Sequence, residues 1–207
     1  MPLLYQQNIN EHIIWALWRM DEPIDFFALE GYEASRISHP QKRKQHLAGR
    51  YVLKMLLPDL DVKTISVAEN KKPFITGSGI DFSITHSDNL VGVIVGRGRR
   101  VGMDIEFANQ RVLDLSHKFM TTADFSTFYN DDFSDQEKAT IAWTMKESAF
   151  KLNGIPGVDF KGDLRLIAVE KKEDGWHAKL QSIVNGESNT MIANGMEMDG
   201  YQICLMY

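Results

Sequence analysis

Val101-Gly102-Met103-Asp104-Ile105-Glu106 alternates apolar Val101, Met103 and Ile105 with Gly102, Asp104 and Glu106. A period of two marks a strand with one buried face, so the two carboxylates share its other side. Like charges this close raise each other's proton affinity unless a cation joins them. A hard divalent ion with oxygen ligands is one resolution, and the wet polar face of an edge strand is the other. The spacing alone leaves both open.

Upstream of this stretch, Ile80–His86 and Leu90–Val95 read as strands joined by Ser87-Asp88-Asn89. With Val101–Phe107 they predict a three-stranded meander. Ile13–Trp18 reads as a short strand and Ile24–Tyr32 as a short helix. Ser38-His39-Pro40 opens a long helix, Gln41–Leu57, with Ser38 as N-cap; Pro58 ends it. Lys63–Ala68 alternates as a strand. Downstream, the aromatic-rich Leu113–Tyr129 reads as mostly helical. Ser134 and Glu137 form a capping box for a helix over Asp135–Leu152, which Asn153-Gly154 stops. Leu164–Val169, Trp176–Leu180 and Gly200–Leu205 read as strands with a Gly/Asn-rich interruption. The pattern predicts an α+β protein of two similarly built halves, 1–98 and 99–207, with any site in the cleft between them.

The 207 residues suffice for a hydrophobic core without disulfides or a structural metal. One cysteine, Cys204, excludes a disulfide framework and a Cys-rich zinc site, which suits a reducing cytoplasm. Met1–Asn10 lacks the basic and then apolar pattern of a signal peptide, and no apolar run approaches the length of a membrane span. The net charge of −5 opposes non-specific nucleic-acid binding. Charge is nevertheless segregated. Ser35–Leu57 carries Arg36, Lys42, Arg43, Lys44, Arg50 and Lys54 with no acid, whereas Asp131–Glu137 carries four acids and no base. A locally basic segment in an acidic chain suits a compact anion.

Trp143, Glu147 and Lys151 step by four and share a helix face, while Ile141, Met145, Ala149 and Leu152 form an apolar stripe. Glu147 and Lys151 read as a surface pair or as an acid and a cation for phosphate chemistry. His86-Ser87 at a strand end, Lys71-Lys72-Pro73, and Arg43, His46 and Arg50 on the basic helix are further phosphate-binding candidates. Each has a bland reading as a turn or a solvated face. No Walker loop, G-x-G-x-x-G after a strand, H-E-x-x-H or G-x-S-x-G is present.

Taken in order, Lys71-Lys72-Pro73-Phe74, Phe82-Ser83-Ile84-Thr85-His86-Ser87, Val101-Gly102-Met103-Asp104-Ile105-Glu106 and Trp143-Thr144-Met145-Lys146-Glu147-Ser148-Ala149-Phe150-Lys151 resemble the motif series of the 4′-phosphopantetheinyl transferases, in the larger, surfactin-synthetase type. The resemblance implies a monomer with pseudo-twofold symmetry that moves the phosphopantetheine arm of coenzyme A to a serine of an apo acyl, peptidyl or polyketide carrier protein. Adenosine 3′,5′-bisphosphate would leave. It implies Mg²⁺, with Mn²⁺ as the alternative, on Asp104, Glu106 and Glu147, and Glu147 and Lys151 as catalytic groups. Lys72, Pro73, His86, Ser87 and Lys151 would bind coenzyme A, with Arg43 or Arg50 at its 3′-phosphate. Four departures stand out: Lys71 replaces the glycine of G-K-P, Thr85 replaces a serine, Met103 replaces a β-branched residue, and Asp124 occupies a position where the family often has glutamate. A local apolar patch over Leu115–Phe128 is the expected carrier-docking surface. A non-catalytic binding module and a generic Mg²⁺-dependent phosphohydrolase are the alternative readings.

Overall fold

The computed structural model describes residues 2–34, 37–69, 71–129 and 132–207. Arg36 of the basic segment and Asp131 of the acidic run lie outside the described residues. The chain divides into two compact units, Met1–Val101 and Gly102–Tyr207. Each holds an antiparallel sheet and a long helix, so the expected α+β class is met.

The first unit contains β1 (Leu3–Asn8), β2 (Ile13–Arg19), α1 (Pro40–Leu56), β3 (Ile65–Val67), β4 (Pro73–Ile75), β5 (Ile80–Ser87) and β6 (Leu90–Arg97). Its sheet runs β1-β2-β6-β5, with β3 and β4 as a separate pair. The continuous apolar run of β2 fits its inner place, where it needs two covered faces. Leu47, Ala48, Val52, Leu53 and Leu56 of α1 pack with Phe82, Val91, Val93 and Val95 of the sheet. His39, not Ser38, caps α1, accepting from the Lys42 N–H, with Pro40 as the first helical residue. The helix expected over Ile24–Tyr32 is a single 3-10 turn, Ile24–Phe27. Gly31 in the left-handed region and the Leu29–Tyr32 bridge turn the chain away. Gln41 and Gln45 of α1 donate to the Asp88 carbonyl at 3.1 and 3.0 Å, which ties the β5–β6 turn to the helix.

The second unit contains β7 (Gly102–Phe107), α2 (Gln110–Leu115), α3 (Thr122–Phe125), α4 (Asp135–Asn153), β8 (Leu164–Lys172), β9 (Gly175–Val184), β10 (Glu187–Met198) and β11 (Tyr201–Met206). Its sheet runs β7-β11-β10-β9-β8. The expected meander is therefore only a hairpin of β5 and β6: β7 pairs with β11, Asp104 opposite Cys204 and Glu106 opposite Gln202. Just before β7, the Val101 N–H is taken by the Asp81 carboxylate at 3.0 Å rather than by a neighbouring strand.

The Gly/Asn-rich interruption is a strand, β10, in which Gly195 lies opposite Trp176. A side chain at 195 would collide with that indole, so the glycine serves packing, not a turn. Leu113–Tyr129 is broken into α2, a 3-10 turn at Ser116–Lys118, and α3. Thr121 and Asp124 start the last piece with their own capping box. The Ser134–Glu137 box opens α4 as expected, and Gly154, left-handed, ends it.

Helix α4 lies directly on the backbone of β7 at Gly102, where an added Cβ would meet the Ser148 carbonyl and the backbone and Cβ of Leu152. Gly102→Ala should cost about 1–3 kcal/mol, read as a lower urea midpoint at unchanged slope. Lys71, where the resembled motif has glycine, has φ +67°. Lys71→Gly relieves the left-handed strain of a side chain and should raise stability by about 1 kcal/mol in the same measurement.

Candidate functional site

The helix resting on Gly102 carries Glu147 and Lys151 toward β7. The Lys151 Nζ is 2.6 Å from Asp104 Oδ1 and donates to the Met103 carbonyl at 3.2 Å. Asp104 is 4% exposed, and its Oδ2 is also buried. Burial pushes the Glu147 carboxyl above the usual carboxylate range; Lys151 pulls it back and Asp104 adds to the rise. The charges at 104, 147 and 151 therefore feel one another. Glu106, half-buried, shares the Asp104 side of the strand by alternation.

Among the described residues, no three His, Cys, Asp or Glu side chains form a ready-made metal cage. The donor set suits a hard cation all the same. Its oxygens are all carboxylate, and Mg²⁺ is usually held by one or two carboxylates plus substrate phosphates rather than by a closed protein shell.

Lys146, beside Glu147, is fully buried. Its ammonium donates to the carbonyls of Phe119 at 2.5 Å and Phe160 at 2.9 Å, and to Asp124 Oδ2 at 3.1 Å. Asp124 also accepts from the N–H groups of Thr121 and Leu166. One ion pair thus ties α4 to the turn before α3 and to β8, with every donor of the ammonium used. Burial lowers the proton affinity of Lys146 and Asp124 restores part of it. Trp143 packs on Phe119 and Phe160, at ring separations of 4.9 and 5.6 Å.

In the first unit, Arg50 Nη1 lies 3.3 Å from His46 Nδ1, and His46 Nε2 lies 2.8 Å from the Tyr32 hydroxyl oxygen. A guanidinium only donates, so Nδ1 accepts, and the ring proton sits on Nε2 facing Tyr32. The Tyr32 and His46 rings stack, and Arg50 lies 5.6 Å from the Tyr32 ring centre. Arg50 Nε is buried and, among the described residues, has no hydrogen-bond acceptor. His86 is exposed at the end of β5 and close enough to lower the proton affinity of His46. Ser87 is buried and points to the other face of β5. The two residues of the His86-Ser87 pair are therefore directed apart. Arg43 is exposed on α1, remote in character from this half-buried cluster. Lys72, just before β4, pairs with Asp81 at 2.9 Å, and Pro73 opens β4. A cavity of about 410 Å³ lined by Leu57, Leu60, Ile75, Ile80 and Arg97 contains none of the candidate residues.

Sequence spacing pointed to His46 and Arg50 as helix neighbours but missed Tyr32 and Lys146. Tyr32 comes from a separate turn, which no periodicity links to α1. Lys146 has a signal: Ala139, Ala142 and Ala149 are buried at helical spacing around it, small residues that leave room for a long side chain.

Burial, then Arg50, then His86 lower the His46 pKa from 6.5 to about 4. The unfolded chain takes a proton near 6.5 while the folded one resists until about 4, so this stability is complete above 6.5 and is lost as pH falls toward 4. His46→Gln should flatten the stability loss across that window in urea titrations. An identical loss in both proteins would show that His46 carries none of it.

Residues 100–201 match the family model of the 4′-phosphopantetheinyl transferase superfamily. The chain is similar to the 4′-phosphopantetheinyl transferase HetI of Nostoc sp., 28% identical over 135 residues, covering 58% of this chain and 56% of the relative. It is also similar to the enterobactin synthase component D of Escherichia coli and of Shigella flexneri, 26% identical over 134 residues, covering 63% of this chain and 64% of each relative. The matched stretch thus spans little more than half of these relatives. Family model and relatives together support the 4′-phosphopantetheinyl transferase superfamily for this chain, with the family match resting on the unit that carries β7 and α4.

Proposed function

We propose that the protein transfers the 4′-phosphopantetheine group of coenzyme A to a serine hydroxyl of an apo carrier protein in the cytoplasm. The observation that carries the reading is the Asp104–Lys151 ion pair beside the half-buried Glu147, on the two motifs that align with the superfamily. The uncompensated Tyr32–His46–Arg50 cluster, with His86 near it, adds a set of donors suited to a phosphomonoester. Among the described residues, no helix is long and apolar enough to cross a membrane.

In this reaction the serine oxygen forms a bond to the phosphorus that carries the pantetheine arm. The pyrophosphate P–O bond breaks, and adenosine 3′,5′-bisphosphate leaves with the electron pair. The serine proton goes to the Glu147 carboxylate, whose burial makes it a stronger base than an exposed one. Lys151 faces the negative charge that builds on the pyrophosphate oxygens. Asp104 holds the Lys151 ammonium in place. Asp104, Glu106 and Glu147 would hold Mg²⁺ or Mn²⁺, which when bound supplies charge neutralisation at the pyrophosphate. Arg50 and His86 bind the 3′-phosphate end, Arg43 adds a peripheral charge, and Lys72, Pro73 and Ser87 line the nucleotide. Carrier docking falls to Leu115, exposed at the start of the Leu115–Phe128 segment, whose Phe119, Met120 and Phe128 are buried in the core instead. Asp124 is buried in its ion pair and takes no part in docking.

The test is a mass assay with apo carrier protein, coenzyme A and Mg²⁺, run against a panel of carriers. A mass gain of one phosphopantetheine on the carrier supports the reading. Complex formation without mass gain makes the protein a binding module, and phosphate release without carrier makes it a phosphohydrolase. Asp104→Ala and Glu147→Ala should each lower transfer at least about 100-fold with an unchanged circular dichroism spectrum. Normal turnover by either variant removes that residue from the site.

A further inference from the structure

The first unit holds two cationic sets that differ in one respect. Around Arg50 and His46 there is, among the described residues, a tyrosine and no paired carboxylate. Around Lys72 there is Asp81. Its two oxygens lie 2.9 and 3.0 Å from Lys72 Nζ, and Oδ2 also accepts from Arg100 Nε at 3.2 Å and from the Val101 N–H at 3.0 Å. The side chains of Lys72 and Asp81 are only 15% and 18% exposed, so solvent screens this contact little, whereas Arg100 is 58% exposed. One carboxylate therefore gathers two cations and a backbone donor at a single point.

We infer that Asp81 is a specificity-determining residue: by cancelling the charge of Lys72, it takes that cation out of the recognition of phosphate charge in this unit and leaves the half-buried Tyr32–His46–Arg50 set, with His86 and Arg43 near the surface, to carry it. The inference rests on the reading that this unit receives the nucleotide end of coenzyme A. An ammonium in contact with a carboxylate presents a dipole to a distant anion, and a dipole's field falls faster with distance than that of a lone charge. Lys72 therefore contributes little long-range attraction. Arg50, with a buried Nε and, among the described residues, no carboxylate paired with it, is not cancelled in this way. Discrimination between ligands with and without a terminal phosphate should then depend on Arg50 and be nearly blind to the charge of Lys72.

The experiment compares binding of coenzyme A and 3′-dephospho-coenzyme A to the full chain by calorimetry, at low and at moderate salt. Asp81→Asn keeps an acceptor for the Val101 N–H but releases the cations. It should bind 3′-dephospho-coenzyme A about five- to tenfold tighter at low salt, gain at least as much for coenzyme A, and lose most of both gains at moderate salt. Asp81→Glu, which retains the charge, should behave as the wild type. Should Asp81→Asn fail to fold, Lys72→Met and Arg50→Met decide: the first should weaken coenzyme A by less than about threefold with wild-type salt dependence, the second by about tenfold or more. A folded Asp81→Asn with unchanged affinities, or a Lys72→Met as damaging and as salt-sensitive as Arg50→Met, overturns the inference. Wild-type protein that binds neither ligand overturns the nucleotide reading of the unit itself.

Discussion

Helix α4 can reach the backbone of β7 only because residue 102 has no side chain. That contact fixes the height at which Lys151 meets Asp104 and the depth at which Glu147 is buried. An ammonium 2.6 Å from a carboxylate tolerates little displacement, and the favourable electrostatics of a partly buried pair fall quickly if the helix lifts. Every chemical property assigned to Glu147 follows from this approach. Burial raises its proton affinity, the neighbouring Asp104 raises it further, and Lys151 keeps the rise in check.

A second constraint holds the same helix from its other side. Lys146 spends its whole ammonium on two carbonyls and Asp124, and Asp124 spends its remaining capacity on Thr121 and Leu166. A buried pair of this kind contributes little net stability over an apolar substitute, but losing one partner leaves a bare charge. Its value is geometric: it admits one position of α4 relative to β8 and the Phe119 turn. The shorter aspartate at 124 works here because it is drawn inward by its own capping box, which brings Oδ2 within 3.1 Å of the ammonium.

The sequence made the elements with strong local chemistry legible. Capping residues at Ser134 and Glu137 and the stop at Gly154 bound α4 to within a residue, because each satisfies orphan backbone groups regardless of tertiary context. The strand character of β7 was equally plain, but its partner was not. Alternation states which residues share a face and says nothing about which strand lies alongside, so the meander was the economical reading and β11 the real neighbour. β10 was hidden because Asn194 and Gly195 signal turns in isolation, whereas here the glycine makes room for Trp176. At the candidate site, the four-residue step from Glu147 to Lys151 named a helix face; that Lys151 seats on Asp104 is a tertiary fact. Tyr32 and Asp81 belong to the same class: each acts on a residue distant in sequence, through contacts no spacing encodes.

The basic helix illustrates why residue type is a poor guide to electrostatic role. Arg43 and Arg50 stand on the same helix and carry the same charge, yet Arg43 is solvated and Arg50 is half-buried against Tyr32 and His46. Lys72 is as buried as a binding cation should be, but a carboxylate holds it. What sets Arg50 apart from Lys72 is not its exposure but whether a carboxylate of this unit already answers its charge. By that criterion Arg50, whose buried Nε meets no acceptor among the described residues, is a half-buried cation left for an anion to satisfy. His46, kept neutral beside it, lets the guanidinium approach without a second positive charge opposing it.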